Sequence, residues 1–151
     1  MSLKETINQD IKTAMRAKDQ AALRALRAVK SAIIIAETAE GHDPDAGLTA
    51  AEEMKILTKQ AKQRKDSIDS FVSNGREDLV TKEQEELDVI ANYLPKQLGA
   101  EEITDKVKEI VARVGASSIK DMGKVMGLAS KELAGKADGK VISGIVKELL
   151  N

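Results

Sequence analysis

A chain of 151 residues, 42% hydrophobic and 32% charged, is long enough for one domain or two small ones, because a globule of this size buries roughly 68–70% of its unfolded surface. Its formal net charge of -1 excludes a global pull toward nucleic acid or membrane, so any such attraction has to be local. The absence of cysteine excludes a disulfide framework, a thiolate metal site and a thiol nucleophile, and is compatible with a reducing interior, with the cytoplasm as the expected location.

The N-terminal run M-S-L-K-E-T-I-N-Q-D has no apolar signal-like core, and the longest strongly apolar run, Ala32 to Ala36, is too short to cross a bilayer. Neither export nor membrane insertion is expected. Helical period and capping chemistry dominate, and no segment shows the sustained alternation of a half-buried strand, so the expected fold is all α. Ser2 and Glu5 form a candidate capping box ahead of the stripe Leu3, Ile7, Ile11, Ala14 and Met15, with a break near Lys18 and Asp19. A second helix carries Ala22, Leu26, Val29, Ile33 and Ala36 and stops at the turn-rich Gly41 to Gly47.

Thr49 and Glu52 form another capping box, opening a long third helix with Met54, Leu57, Ala61, Arg64, Ile68 and Phe71 at near-heptad spacing up to Asn74-Gly75. Its natural partner by length and adjacency is the second helix, which predicts a helical hairpin in the N-terminal part. A fourth helix, from Glu77 to Leu94, ends before Pro95. The segment Pro95 to Gly99 reads as a linker. It divides an N-terminal helical domain, residues 1–95, from a small C-terminal three-helix domain, residues 96–151.

The first C-terminal helix has Ile103, Val107, Ile110, Val111 and Val114, and the last has Asp138 as N-cap and Val141, Ile142, Ile145, Val146 and Leu149 as stripe. Between them lies K-D-M-G-K-V-M-G-L-A-S-K-E-L-A-G-K-A-D-G-K, Lys120 to Lys140. Read as one helix at about 100° per residue, it places Lys120, Lys124 and Lys131 within roughly 40° of one another, with Gly127 and Gly123 beside them. Met122, Val125, Met126, Ala129 and Leu133 fall on the opposite side. A solvent-facing glycine costs a helix about 1 kcal/mol relative to alanine, and folding does not ask for two on a lysine face. They would let a partner's backbone approach, with ammonium groups to meet negative charge, so a phosphate-rich partner fits; an ordinary solvated lysine face fits the same residues.

Only Phe71 and Tyr93 are aromatic, which argues against base stacking along a single strand; any nucleic acid would be held through backbone and shape. Gly135-Lys-Ala-Asp-Gly139-Lys140 lacks the spacing, the hydroxyl residue and the strand of a phosphate loop and is better read as a glycine stop followed by the Asp138 cap. His42, the one histidine, lies near Asp43 and Asp45 in what reads as a plain solvated turn. No catalytic residue, metal or cofactor is expected. The cluster Lys59, Lys62, Arg64 and Lys65 and the six acids between Glu77 and Asp88 read first as charge matching between helix faces.

Several runs keep order and spacing with a known family: K-Q-R-K-D-S-I-D-S-F from Lys62, G-R-E-D-L-V-T-K-E from Gly75, L-D-V-I-A-N-Y-L-P-K-Q-L from Leu87, S-S-I-K-D-M-G-K-V-M-G from Ser117 and A-G-K-A-D-G-K-V-I-S from Ala134. Together they resemble the GatB/YqeY family over most of the chain. The resemblance implies a two-part helical protein similar to the tail of the GatB component of the tRNA-dependent amidotransferases, a tRNA-contacting appendage whose catalytic body is absent here. It implies tRNA as partner, with an aminoacyl-tRNA synthetase or amidotransferase as candidate protein partners. Lys120, Gly123, Lys124, Gly127, Lys131, Lys136 and Lys140 fall inside the matching runs and are the candidate tRNA-binding residues. Two rival readings are a protein-interaction adaptor that binds no RNA and an accessory component in glutamine-dependent amide transfer.

Overall fold

A computed structural model describes residues Met1–Asn151 as seven α-helices, one 3-10 turn and no strand, as the all-α expectation requires. The chain forms two compact units, Met1–Leu94 and Pro95–Asn151, each with its own buried core.

In the first unit, α1 (Leu3–Ala17) opens on a closed capping box: Glu5 N–H donates to Ser2 Oγ at 3.2 Å and Ser2 N–H donates to Glu5 Oε2 at 2.8 Å. Lys18 takes the left-handed conformation (φ 54°) that ends the helix, and Asp19 at once caps α2 (Gln20–Glu37) by accepting from Ala22 N–H at 3.0 Å. The second capping box, Thr49 with Glu52, opens α3 (Ala50–Ser73), and α4 (Glu77–Ala91) follows after Asn74–Gly75–Arg76. Ile7, Leu23, Leu26, Val29, Ile33, Leu57, Ala61 and Ile90 form the core.

The pairing inside this unit corrects the expected α2–α3 hairpin. The main partner of α3 is α4, while α2 packs chiefly on α1 and α4 and meets α3 only in part. The reason is turn length. Gly75 (φ 68°) reverses the chain within three residues and forces α4 back along α3, whereas the segment from Thr38 to Thr49 is long enough to leave α2 and α3 apart. The acidic run on α4 meets cations of α2 and α3: Arg24 lies 3.3 Å from Glu85, and half-buried Arg64 lies 4.0 Å from Glu86 while donating to Gln60 O and Oε1. Burial, with the charge of Glu86 added, raises the pKa of Glu83 in this cluster.

The α-helical part of α4 ends at Ala91, short of the expected Leu94, because the chain tightens ahead of Pro95 into i to i-3 bonds: Asn92 N–H donates to Val89 O, Tyr93 N–H to Ile90 O and Leu94 N–H to Ala91 O. Tyr93, the chain's one tyrosine, donates its hydroxyl proton to Asp10 of α1 in a short hydrogen bond. Burial first, then that hydrogen bond and the charge of Asp10, push the phenol above its ordinary pKa. The folded state therefore holds this proton more tightly than the unfolded chain. The resulting stability is complete below the unfolded value of about 10 and is lost as pH rises beyond it. We expect Tyr93→Phe to cost about 1–3 kcal/mol at neutral pH and to flatten the alkaline fall in stability. Phenolate absorbance should show the folded chain still protonated where the urea-unfolded chain has ionised; identical titrations would contradict this.

Candidate nucleic-acid interface

The second unit starts with Pro95 to Gly99, which is bonded into the unit: Gln97 Nε2 donates to Gly135 O at 2.7 Å and Leu98 N–H donates to Lys136 O at 2.9 Å. Three helices follow, α5 (Ala100–Val114), α6 (Met122–Glu132) and α7 (Gly139–Leu150), around Ile103, Val107, Ile110, Val125, Ala129, Leu133, Ile142 and Val146. Gly115 (φ 67°) closes α5 in the left-handed conformation, as a helix-ending glycine does.

The expected single helix from Lys120 is interrupted. Ile119–Asp121 is a 3-10 turn and α6 begins only at Met122, so Lys120 lies on the turn and does not share the register of Lys124 and Lys131. The cause is Asp121, whose carboxylate accepts from Ser117 N–H at 3.0 Å and Ser118 N–H at 3.3 Å and so fixes a tight entry to α6. Those two N–H groups, Ser117 first, hold Asp121 below the ordinary carboxylate pKa, with a smaller contribution from Lys124.

From Met122 onward the two faces separate as the residue spacing demands. Val125, Ala129 and Leu133 are buried and Met122 and Met126 pack half-buried on the core. Gly123, Lys124, Gly127, Ser130 and Lys131 are exposed, and a Cβ built on Gly123 or Gly127 would meet no atom within 4 Å. Nothing in the unit uses the space these glycines leave open. We therefore expect Gly123→Ala with Gly127→Ala to raise the stability of this unit by about 1–2 kcal/mol in urea unfolding; a loss of stability would show that the bare backbone serves the fold.

Lys136 is exposed on the α6–α7 connection after Gly135 (φ 74°), and Lys140 stands in the first turn of α7, where its N–H donates to Asp138 Oδ1 at 2.9 Å. The glycine stop and aspartate cap thus account for the phosphate-loop-like letters. The seven candidate residues fall into three groups: Gly123, Lys124, Gly127 and Lys131 on one face of α6, Lys120 on the preceding turn, and Lys136 and Lys140 on the following connection and helix.

The three acids of this region are all engaged elsewhere than with Lys131 or Lys136. Asp121 binds backbone N–H groups, Asp138 caps α7, and Glu132 pairs with Arg113 of α5, which also holds Glu109 at 3.1 Å. Asp121 also lies within reach of the charge of Lys124, so that lysine keeps a counter-charge on its own turn. One feature of the same kind escaped the sequence reading. Gly144 lies in the middle of α7, exposed and with nothing within 4 Å of an added Cβ, between Lys140 and Lys147 at helical spacing. The Gly–Lys spacing that singles out α6 was present here too, and α7 packs on α6.

A family model described as Yqey-like protein matches residues 4–150. The chain belongs to the YqeY family. Its YqeY relatives include the protein of Pyrenophora tritici-repentis named altered inheritance of mitochondria protein 41, mitochondrial, 33% identical over 148 residues that cover 95% of this chain and 78% of the relative. The protein of that name from Kluyveromyces lactis is 34% identical over 144 residues, covering 93% of this chain and 72% of the relative. The one from Saccharomyces cerevisiae is 34% identical over 134 residues, covering 87% and 68%. These YqeY proteins are named as mitochondrial, which contradicts the expected cytoplasmic location. The physical reason for the error is plain: a cysteine-free, charge-balanced composition suits any reducing aqueous compartment and selects none.

Proposed function

We propose that this YqeY-family protein is a tRNA-binding accessory module, related to the tail of the tRNA-dependent amidotransferases, that holds tRNA through phosphate and shape contacts. The observation that carries the reading is the open strip on α6. Two exposed glycines without neighbours stand beside exposed lysines on a helix whose other face is packed. A sugar-phosphate backbone can approach a helix closely only where side chains are missing, and the lysines then meet its charge. Lys124, Gly123, Gly127 and Lys131 form the centre of the contact, and Lys120, Lys136 and Lys140 extend it along the chain. The lack of paired aromatic platforms fits recognition of the phosphate path rather than of bases.

The test is fluorescence anisotropy of labelled tRNA with the full chain at low and moderate salt. Saturable binding whose log-log slope against salt reaches at most about -4 to -5 is the expected result for five lysines. No binding at low salt, or binding indifferent to salt, contradicts the reading.

A further inference from the structure

The corner between α1 and α2 breaks a rule that the rest of the chain keeps. Three helices end on the same pair of backbone bonds. In α3, Gly75 N–H donates to Val72 O at 3.2 Å and Arg76 N–H to Phe71 O at 2.9 Å. In α5, Gly115 N–H donates to Ala112 O at 3.3 Å and Ala116 N–H to Val111 O at 3.1 Å. In α1, Lys18 N–H donates to Met15 O at 3.2 Å and Asp19 N–H to Ala14 O at 2.9 Å. The left-handed residue is glycine in the first two and lysine in the third (φ 54°, ψ 34°), and Lys18 is the one residue with a Cβ held at positive φ. The contact between Cβ and backbone disfavours that conformation by more than a surface cation at a helix C-terminus recovers. Arg16 already stands in the last turn of α1 to meet the negative end of the helix. Folding therefore asks for glycine at position 18, and the sequence supplies a charge.

That charge has company. Residues 1–37 hold seven basic and four acidic side chains, a balance of +3 with every acid counted in full, in a chain of net charge -1. The ion pairs made from α1 and α2 use Lys4, with Glu37, and Arg24, with Glu85. Lys12, Arg16, Lys18 and Arg27 are exposed and enter no ion pair; the nearest acid in sequence, Asp19, caps α2 beside Lys18. Lys12 and Arg16 stand one turn apart on the outer side of α1. The tight corner and the Lys4–Glu37 pair fix α1 and α2 antiparallel, in a register that puts Arg27 level with Lys12. Thr13, Ala17 and Gln20 are the other exposed positions among them. Met15, 56% exposed, is the one large apolar side chain there, since Ile34 and Ile35 lie at the far end of α2.

We propose that this corner is a second phosphate contact for RNA, in which Lys12, Arg16, Lys18 and Arg27 follow one stretch of backbone. Chemistry selects the occupant. An RNA strand presents an unbroken row of anions and asks for no apolar floor, and this surface offers cations without one. A protein interface is built on apolar and aromatic anchors, and membrane binding needs a free apolar helix face, whereas Ile7, Ile11 and Ala14 of α1 are packed in the core. The inference rests on the reading of tRNA as ligand and adds a contact in a unit to which that reading assigns none. Alone, four surface cations bind RNA weakly; their effect is to tighten the hold on an RNA already bound by α6.

The experiment is anisotropy of labelled tRNA at low salt with the full parent chain, the Lys12→Gln, Arg16→Gln chain and the Lys18→Gly chain. Expected are losses of affinity of about tenfold for the pair and about three- to tenfold for Lys18→Gly, both shrinking as salt is raised. Lys18→Gly separates binding from folding: glycine suits the left-handed turn, so the urea midpoint should stay or rise while affinity falls. A lysine kept only for the helix end would not give that result. Amide shifts of the parent chain on adding tRNA should include residues 12–20 as well as α6. Unchanged affinity in both corner variants, with shifts confined to α6, overturns this inference and leaves the reading of the second unit standing. No tRNA binding by the parent chain removes both. Binding to vesicles of equal phosphatidylserine and phosphatidylcholine, abolished by Lys12→Gln with Arg16→Gln while tRNA affinity is unchanged, makes a membrane the occupant and also overturns it.

Discussion

Replacing Lys124 and Lys131 together by glutamate is expected to weaken tRNA binding about a hundredfold at low salt. Each lysine that neutralises a phosphate contributes a charge-assisted contact of about 1.5–3 kcal/mol, or roughly tenfold or more. Reversal removes two such contacts and sets like charges against the phosphates. The salt dependence should flatten by about two in the log-log slope, since two fewer counterions are released. Both side chains are exposed on the unpacked face of α6, so the helices should persist, as circular dichroism would confirm. Unchanged affinity in a folded variant would remove α6 from the interface.

A second large effect is expected from the core beneath that face. Ile110 of α5 is fully buried among Val125, Ile142 and Val146 of the C-terminal cluster, and its truncation to alanine should cost about 2–5 kcal/mol. A core of this size rarely supplies more than about 3–5 kcal/mol, so Ile110→Ala is expected to unfold Pro95–Asn151 at ambient temperature. Amide signals of the first unit should survive, because its core of Ile7, Val29, Ile33 and Ile90 shares no residue with the damaged one. Binding of tRNA should disappear with the second unit. Loss of all signals in one cooperative step would show instead that the two cores depend on each other.

What could be read from the letters was the chemistry that acts within a turn or two. The Ser2–Glu5 and Thr49–Glu52 boxes and the Asp19 and Asp138 caps join residues no more than a few positions apart, and the helices begin close to where those residues put them. Pairing between helices was less legible. Length and adjacency favoured α2 for α3, yet the Asn74–Gly75–Arg76 turn, short and with a left-handed glycine, was the stronger constraint and selected α4.

At the candidate interface the helix face itself was legible, because a 3.6-residue period separates Gly123, Lys124, Gly127 and Lys131 from Val125, Ala129 and Leu133 without further information. The register of Lys120 was not, because the 3-10 turn depends on which backbone N–H groups Asp121 finds. Nor was the partner of Glu132: its pairing with Arg113, nineteen positions away, is a product of α5 lying against α6. Compartment lay outside what composition could decide, and the relatives' names corrected it.

If the bare backbone of α6 is kept open for a nucleic-acid backbone, filling it with apolar bulk while leaving every charge in place closes the approach. Anisotropy of labelled tRNA with the Gly123→Leu, Gly127→Leu chain, measured beside the parent chain, is predicted to show at least a tenfold loss of affinity in a protein whose helices are as stable as before or more so. Equal affinity of the two folded proteins would mean that the bare backbone of α6 is not where tRNA is held.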